Sequence, residues 1–153
     1  MDGLDESTQR MVWQRVFAGT GEQPRDDLQK LILQAMESAA AYRLLAGTLA
    51  GGQSRELAKR LYGGAQETVD CLNGVRLLAG ERVGKPKALP MPREPAEKVL
   101  EKCYYRSRRA MAEYTARSAE PEFGAVFRSL AQREEAHCVL IAQLLGKQTV
   151  LIP

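Results

Sequence analysis

The chain has 153 residues, 44% apolar, 27% charged and 6% aromatic, the size and balance of one domain able to close a single core. Its 22 Lys and Arg against 19 Asp and Glu leave a net charge of +3, with both signs spread along the sequence. That argues against a nucleic-acid partner, and the densest basic run, "YYRSRR" at 104–109, reads as a solvated helix face. No stretch approaches the roughly 18 consecutive apolar residues that span a bilayer, and the opening "MDGLDESTQRM" lacks an apolar signal segment. The expectation is therefore a cytoplasmic protein with no membrane partner.

The apolar residues are mostly Ala and Leu, and β-branched runs are scarce, which favours helices. Residues 1–24 are expected to form an N-terminal helical segment, with a short helix from about Asp5 to Ala18 carrying Met11, Val12, Trp13, Val16 and Phe17. From Arg25 to about Ala50, residues Leu28, Ile32, Ala35, Ala39, Tyr42, Ala46 and Leu49 recur every three or four positions, the period of a half-buried helix. "GGQS" interrupts at 51–54, with Ser54 a candidate N-cap. The next helix has Leu57, Leu61, Gly64, Thr68, Cys71, Val75 and Leu78 on one face and ends at Gly80.

Residues 81–95 hold four of the seven prolines and read as a linker. A helix then starts near Pro95, with Leu100, Tyr104, Ser107, Met111 and Tyr114 on one face. After "SAEPEF" a last helix runs from Pro121 to Leu145 with Phe123, Phe127, Leu130, Glu134, His137, Ile141 and Leu144 inward. Helices of about 25 residues are about 38 Å long, and an extended linker of about 15 residues reaches roughly 50 Å. The expected fold is all-α: a four-helix bundle over 25–146, made of hairpins 25–80 and 95–146 joined by a crossover at 81–94. Residues 147–153 form a tail.

The hairpins echo one another at an offset of 67 residues: "ETVDCLNGVRLL" at 67–78 matches "EEAHCVLIAQLL" at 134–145. Glu67 pairs with Glu134, Asp70 with His137, and Cys71 with Cys138. Paired hairpins, a central crossover and Glu-x-x-His on the last helix resemble the ferritin-like superfamily, most closely its small rubrerythrin-type branch. The resemblance implies a bundle core holding two metal ions, ligated by a Glu from each of two helices and a Glu-x-x-His from each of the others. Carboxylates then bridge and offset two cations while imidazoles cap them.

Carried over residue by residue, the resemblance points to Glu67, Glu101, Glu134 and His137 as metal ligands. Glu101 lies 33 residues before Glu134, a family-like separation. Gln34 stands where the family has a bridging Glu, Glu37 lies one turn further on, and Asp70 replaces the second His. Two functions stay open. One is a rubrerythrin-like protein with a mono- or dinuclear iron or manganese site, reducing peroxide or oxygen. The chain has no CxxC pairs, so electrons would come from an external donor. The other is a non-enzymatic scaffold with a degenerate site, acting through self-association or a protein partner, its Glu134 and His137 then forming a hydrogen-bonded pair. Both imply a homodimer. No Gly-rich phosphate loop is present, and Cys71, Cys103 and Cys138 read as buried free thiols.

Overall fold

The computed structural model describes residues 24–81 and 89–151. The helix expected at 5–18 and most of the crossover lie outside the described residues. Among the described residues four helices form: α1 Pro24–Thr48, α2 Gly52–Leu78, α3 Ala96–Arg117 and α4 Gly124–Leu151. Among the described residues there is no strand.

α1 packs closely on α2 and α3 on α4, with lighter seams between α1 and α3 and between α2 and α4. Two apolar clusters fill the interior. At one end Ala41 and Leu45 of α1, with Leu49 just beyond it, meet Ala58 and Leu61 of α2, Val99 and Leu100 of α3, and Ile141 and Leu144 of α4. At the other end Leu28 and Ile32 meet Leu72 and Val75, Tyr114, and Phe127 and Leu130. Each helix pair sharing a seam is thus antiparallel, while α2 and α3 both run from the first cluster to the second. Chain 79–95 therefore joins opposite ends of the bundle. Its described far portion, Pro92–Glu94, lies beside Leu44 and Thr48 of α1.

Several boundaries and faces differ from expectation, each for a local reason. α2 starts at Gly52 with Gly51 as N-cap, at φ 93° and without a side-chain cap bond. Ser54 is not the cap; it is buried within the first turn, where Gln148 donates to its hydroxyl at 3.5 Å and to the Ala50 carbonyl at 3.3 Å. Gln148 reaches that turn because α4 continues through Gly146 to Leu151 instead of stopping, so most of the expected tail is helix. α2 ends at Leu78, and Gly80 closes it: at φ 87° this glycine lets the Gly80 amide reach the Leu77 carbonyl and the Glu81 amide the Arg76 carbonyl, a Schellman close. The inward face of α2 is Ala58, Leu61, Ala65, Thr68, Leu72 and Val75. Cys71 is exposed because one helical step of 100° separates it from the buried Leu72, and Leu78 is exposed beyond Val75, the last buried residue of the stripe. On α3, Cys103 and Ala110 take the buried places expected of Tyr104 and Met111, which are half-buried.

Candidate functional site

Between the two apolar clusters lies a layer of polar side chains. Thr68 of α2, Ser107 of α3, and Glu134 and His137 of α4 are all buried. The helical period explains the set. Ser107 sits one turn from Cys103 and Ala110, and Glu134 and His137 sit one turn from Leu130 and Ile141, so each polar residue continues an apolar stripe. Burying a carboxyl there is costly unless it is bonded.

Glu134 receives the Ser107 hydroxyl on its side-chain oxygen Oε1, and the same hydroxyl lies 3.3 Å from the Glu134 carbonyl. Burial pushes the Glu134 carboxyl above the usual range, opposed by the Ser107 bond and the charge of Arg133. The donor to Glu134 is thus a serine on the neighbouring helix rather than His137. The imidazole instead turns towards α2. A Cβ at Gly64 would lie 2.6 Å from His137 Nε2 and 2.9 Å from Cε1, so only glycine leaves room for the ring. Tyr42 of α1 meets the same imidazole edge-on, centroids 5.9 Å apart at 87°. Burial, reinforced by Arg133, lowers the His137 pKa to about 4, which keeps the ring neutral at pH 7.

Arg133 closes the α2–α4 seam. It donates through one terminal nitrogen to Thr68 Oγ1 at 3.1 Å and to the Gly64 carbonyl at 3.5 Å, while the other lies 3.2 Å from Glu67 Oε1. On the α1 side the Tyr42 hydroxyl is buried with no hydrogen-bond partner among the described residues, and burial raises its pKa well above the usual value. The Gln34 amide oxygen is likewise buried and unpartnered among them. Cys103 is fully buried, its thiol pushed up to about 11 chiefly by that burial, a poor nucleophile. All three cysteines are free.

The residues expected as ligands separate into two groups. Glu134 and His137 are together inside the bundle. Glu67 has a side chain 70% exposed and pairs with Arg133. Glu101 is 48% exposed and lies 3.7 Å from Lys98. Glu37 is 56% exposed and lies 3.6 Å from Arg106. Asp70 is exposed and Gln34 half-buried. Among the described residues, no three His, Cys, Asp or Glu side chains gather as a metal-holding group. In this arrangement the donors do not fit two ions sharing bridging carboxylates: the three surface glutamates each already face a basic side chain.

The 67-residue repeat explains part of this. On α2 the inward position that Glu134 occupies on α4 belongs to Thr68, one residue past Glu67, so aligning the letters does not align the faces. Sequence reasoning passed over Ser107, Gly64 and Thr68 as agents of the site although all three lay on predicted faces. It also passed over Arg133, whose only signal was its place one residue before a buried Glu.

The fold and this layer define a four-helix bundle with a polar middle. Comparison with known protein families, with curated proteins and with solved structures gives no match to this chain.

Proposed function

We propose that this protein is a ferritin-like scaffold whose central polar layer is completed by its own side chains, and that it acts without a resident metal, through self-association or a protein partner. Antiparallel seams around the bundle and parallel α2 and α3, which require a crossover, support the ferritin-like part. The observation that carries the rest is the engagement of the carboxylates: Glu134 by Ser107, Glu67 by Arg133, Glu101 by Lys98 and Glu37 by Arg106. Elemental analysis of protein purified without chelator, repeated after reconstitution, tests it. The expected result is no stoichiometric iron, manganese or zinc and no shift in thermal midpoint on adding them. One or two bound equivalents, lost in His137→Ala, overturn the proposal. Sedimentation at micromolar concentration tests the homodimer, and a monomer there leaves only the protein partner.

A second reading is favoured by one observation, the burial of Glu134 and His137 one turn apart on α4. In it they hold iron or manganese for peroxide or oxygen reduction with an outside electron donor. The same metal analysis decides between the two.

A further inference from the structure

We propose that the outer groove between α1 and α2 is the docking site of the chain's own residues 5–18, seated there as an amphipathic helix antiparallel to α1.

The groove has a volume of about 480 Å³. Its floor is Met36, Ala39 and Ala40 of α1 with Tyr62 and Val69 of α2, all half-buried. Two charges stand at opposite corners. Arg43 is on the α1 rim, towards the first apolar cluster, and Asp70 is on the α2 rim, towards the second. Both are exposed, and among the described residues neither pairs with an opposite charge. The groove thus fits a helix with an apolar face, an acid near one end on the α1 side and a base near the other end on the α2 side.

Residues 5–18, outside the described residues, carry that pattern. On a helix Val12, Trp13, Val16 and Phe17 fall within an arc of about 140° at 100° per residue. Glu6 falls at the Phe17 edge of the arc near the helix start, and Arg15 beyond the Val12 edge near its end. With the arc turned to the groove and the helix antiparallel to α1, right-handed winding puts Glu6 on the α1 side and Arg15 on the α2 side. Covering Trp13 and Phe17 there removes apolar surface of both partners from water.

Reach fixes the register. Met36 and Arg43 stand about 18 and 28 Å along α1 from Pro24. Residues 19–23 extend up to about 17 Å, and a helix over 5–18 adds about 21 Å. A segment folded back from Pro24 therefore covers the groove, with Arg15 level with Asp70 and Glu6 level with Arg43 to within about one helical turn. The reverse orientation would put Ala18 beyond Arg43, farther from Pro24 than residues 19–23 extend.

Trp13 is the chain's single tryptophan, so its fluorescence reports the docking. The test follows emission and acrylamide quenching of the full chain over a range of protein concentrations, with far-UV circular dichroism as the check on folding. Wild type is expected to show blue-shifted, shielded emission that does not change on dilution. Ala40→Glu, which sets a charge on the groove floor, should shift Trp13 to the red and raise quenching while the helices stay folded. Arg43→Glu should do the same by facing Glu6, and Arg43→Glu with Glu6→Arg should restore the shielding. If Ala40→Glu fails to fold, the exposed Arg43→Glu and its charge swap decide in its place. A solvent-exposed Trp13 in wild type, shielding untouched by folded groove variants, or a swap that restores nothing overturns the proposal. Shielding lost on dilution also overturns it, because the occupant is then the segment of a second copy.

Discussion

Gly64→Ala isolates the contact that seats His137. In an open helix interior, Gly→Ala stabilises by about 1 kcal/mol through backbone entropy and solvation. Gly63 and Gly74 are such positions, with no atom within 4 Å of an added Cβ. At Gly64 the same methyl falls 2.6 Å from Nε2 and 2.9 Å from Cε1 of His137. The ring is buried and braced edge-on by Tyr42, so it does not swing clear into solvent. Forcing extra atoms into a packed site costs about 1–3 kcal/mol, which cancels or exceeds the propensity gain. Gly63→Ala should therefore raise stability by about 1 kcal/mol, and Gly64→Ala should fall below it by about 1–3 kcal/mol. At about 2–4 °C per kcal/mol for a chain of this size, the two midpoints should differ by at least about 2 °C. The double variant Gly64→Ala, His137→Ala should recover much of the clash, with a coupling of at least about 1 kcal/mol. A Gly64→Ala midpoint equal to that of Gly63→Ala would refute the reasoning, because the methyl would then have found room beside the imidazole.

Three further outcomes follow from the polar layer. Ser107→Ala removes the donor to the Glu134 carboxyl and should cost about 1–3 kcal/mol in urea unfolding; a neutral result would mean that Glu134 is paired elsewhere. Tyr42→Phe removes a buried hydroxyl without a partner among the described residues and should leave stability unchanged or raise it by up to about 1 kcal/mol; a loss beyond 1 kcal/mol would show that the hydroxyl is bonded. The His137 pKa of about 4 lies below its ordinary 6.5, so the unfolded chain binds the proton first. Stability present above pH 6.5 is lost as pH falls towards 4, by roughly 3 kcal/mol. Glu134 runs the other way: its raised pKa means that stability held at low pH declines as pH rises through the folded-state value. Comparing the pH dependence of wild type with His137→Asn isolates the first effect, and equal slopes between pH 6.5 and 4 would refute it.

The sequence alone determined that the described chain folds into helices, and about where each begins and ends except for α4, which runs through Gly146 to Leu151. Ala- and Leu-rich stripes at a period of 3.6 admit little else, and Gly80, "SAEPEF" and the proline-rich linker stop helices by backbone geometry that needs no partner. The inward face of α4 was legible for the same reason, and that of α1 in part, where Leu45 takes the buried place expected of Ala46. Its limit was azimuth and company. The repeat aligns Glu67 with Glu134 by letter, yet a shift of one residue turns a side chain by 100°. That places Glu67 on the rim beside Arg133 and Thr68 in the interior. Whether Glu101 looks inward was equally beyond a one-dimensional pattern, since it lies at the edge of a stripe and packing of neighbouring helices fixes which edge is covered; Glu37 already pointed largely away from its stripe. Only tertiary structure decided that Glu134 is served by Ser107 from 27 positions away and that His137 rests on Gly64. Those contacts depend on the register of one helix against another. That register is set by how the Leu, Ile and Phe side chains of the two apolar clusters interlock, and no single helix encodes it.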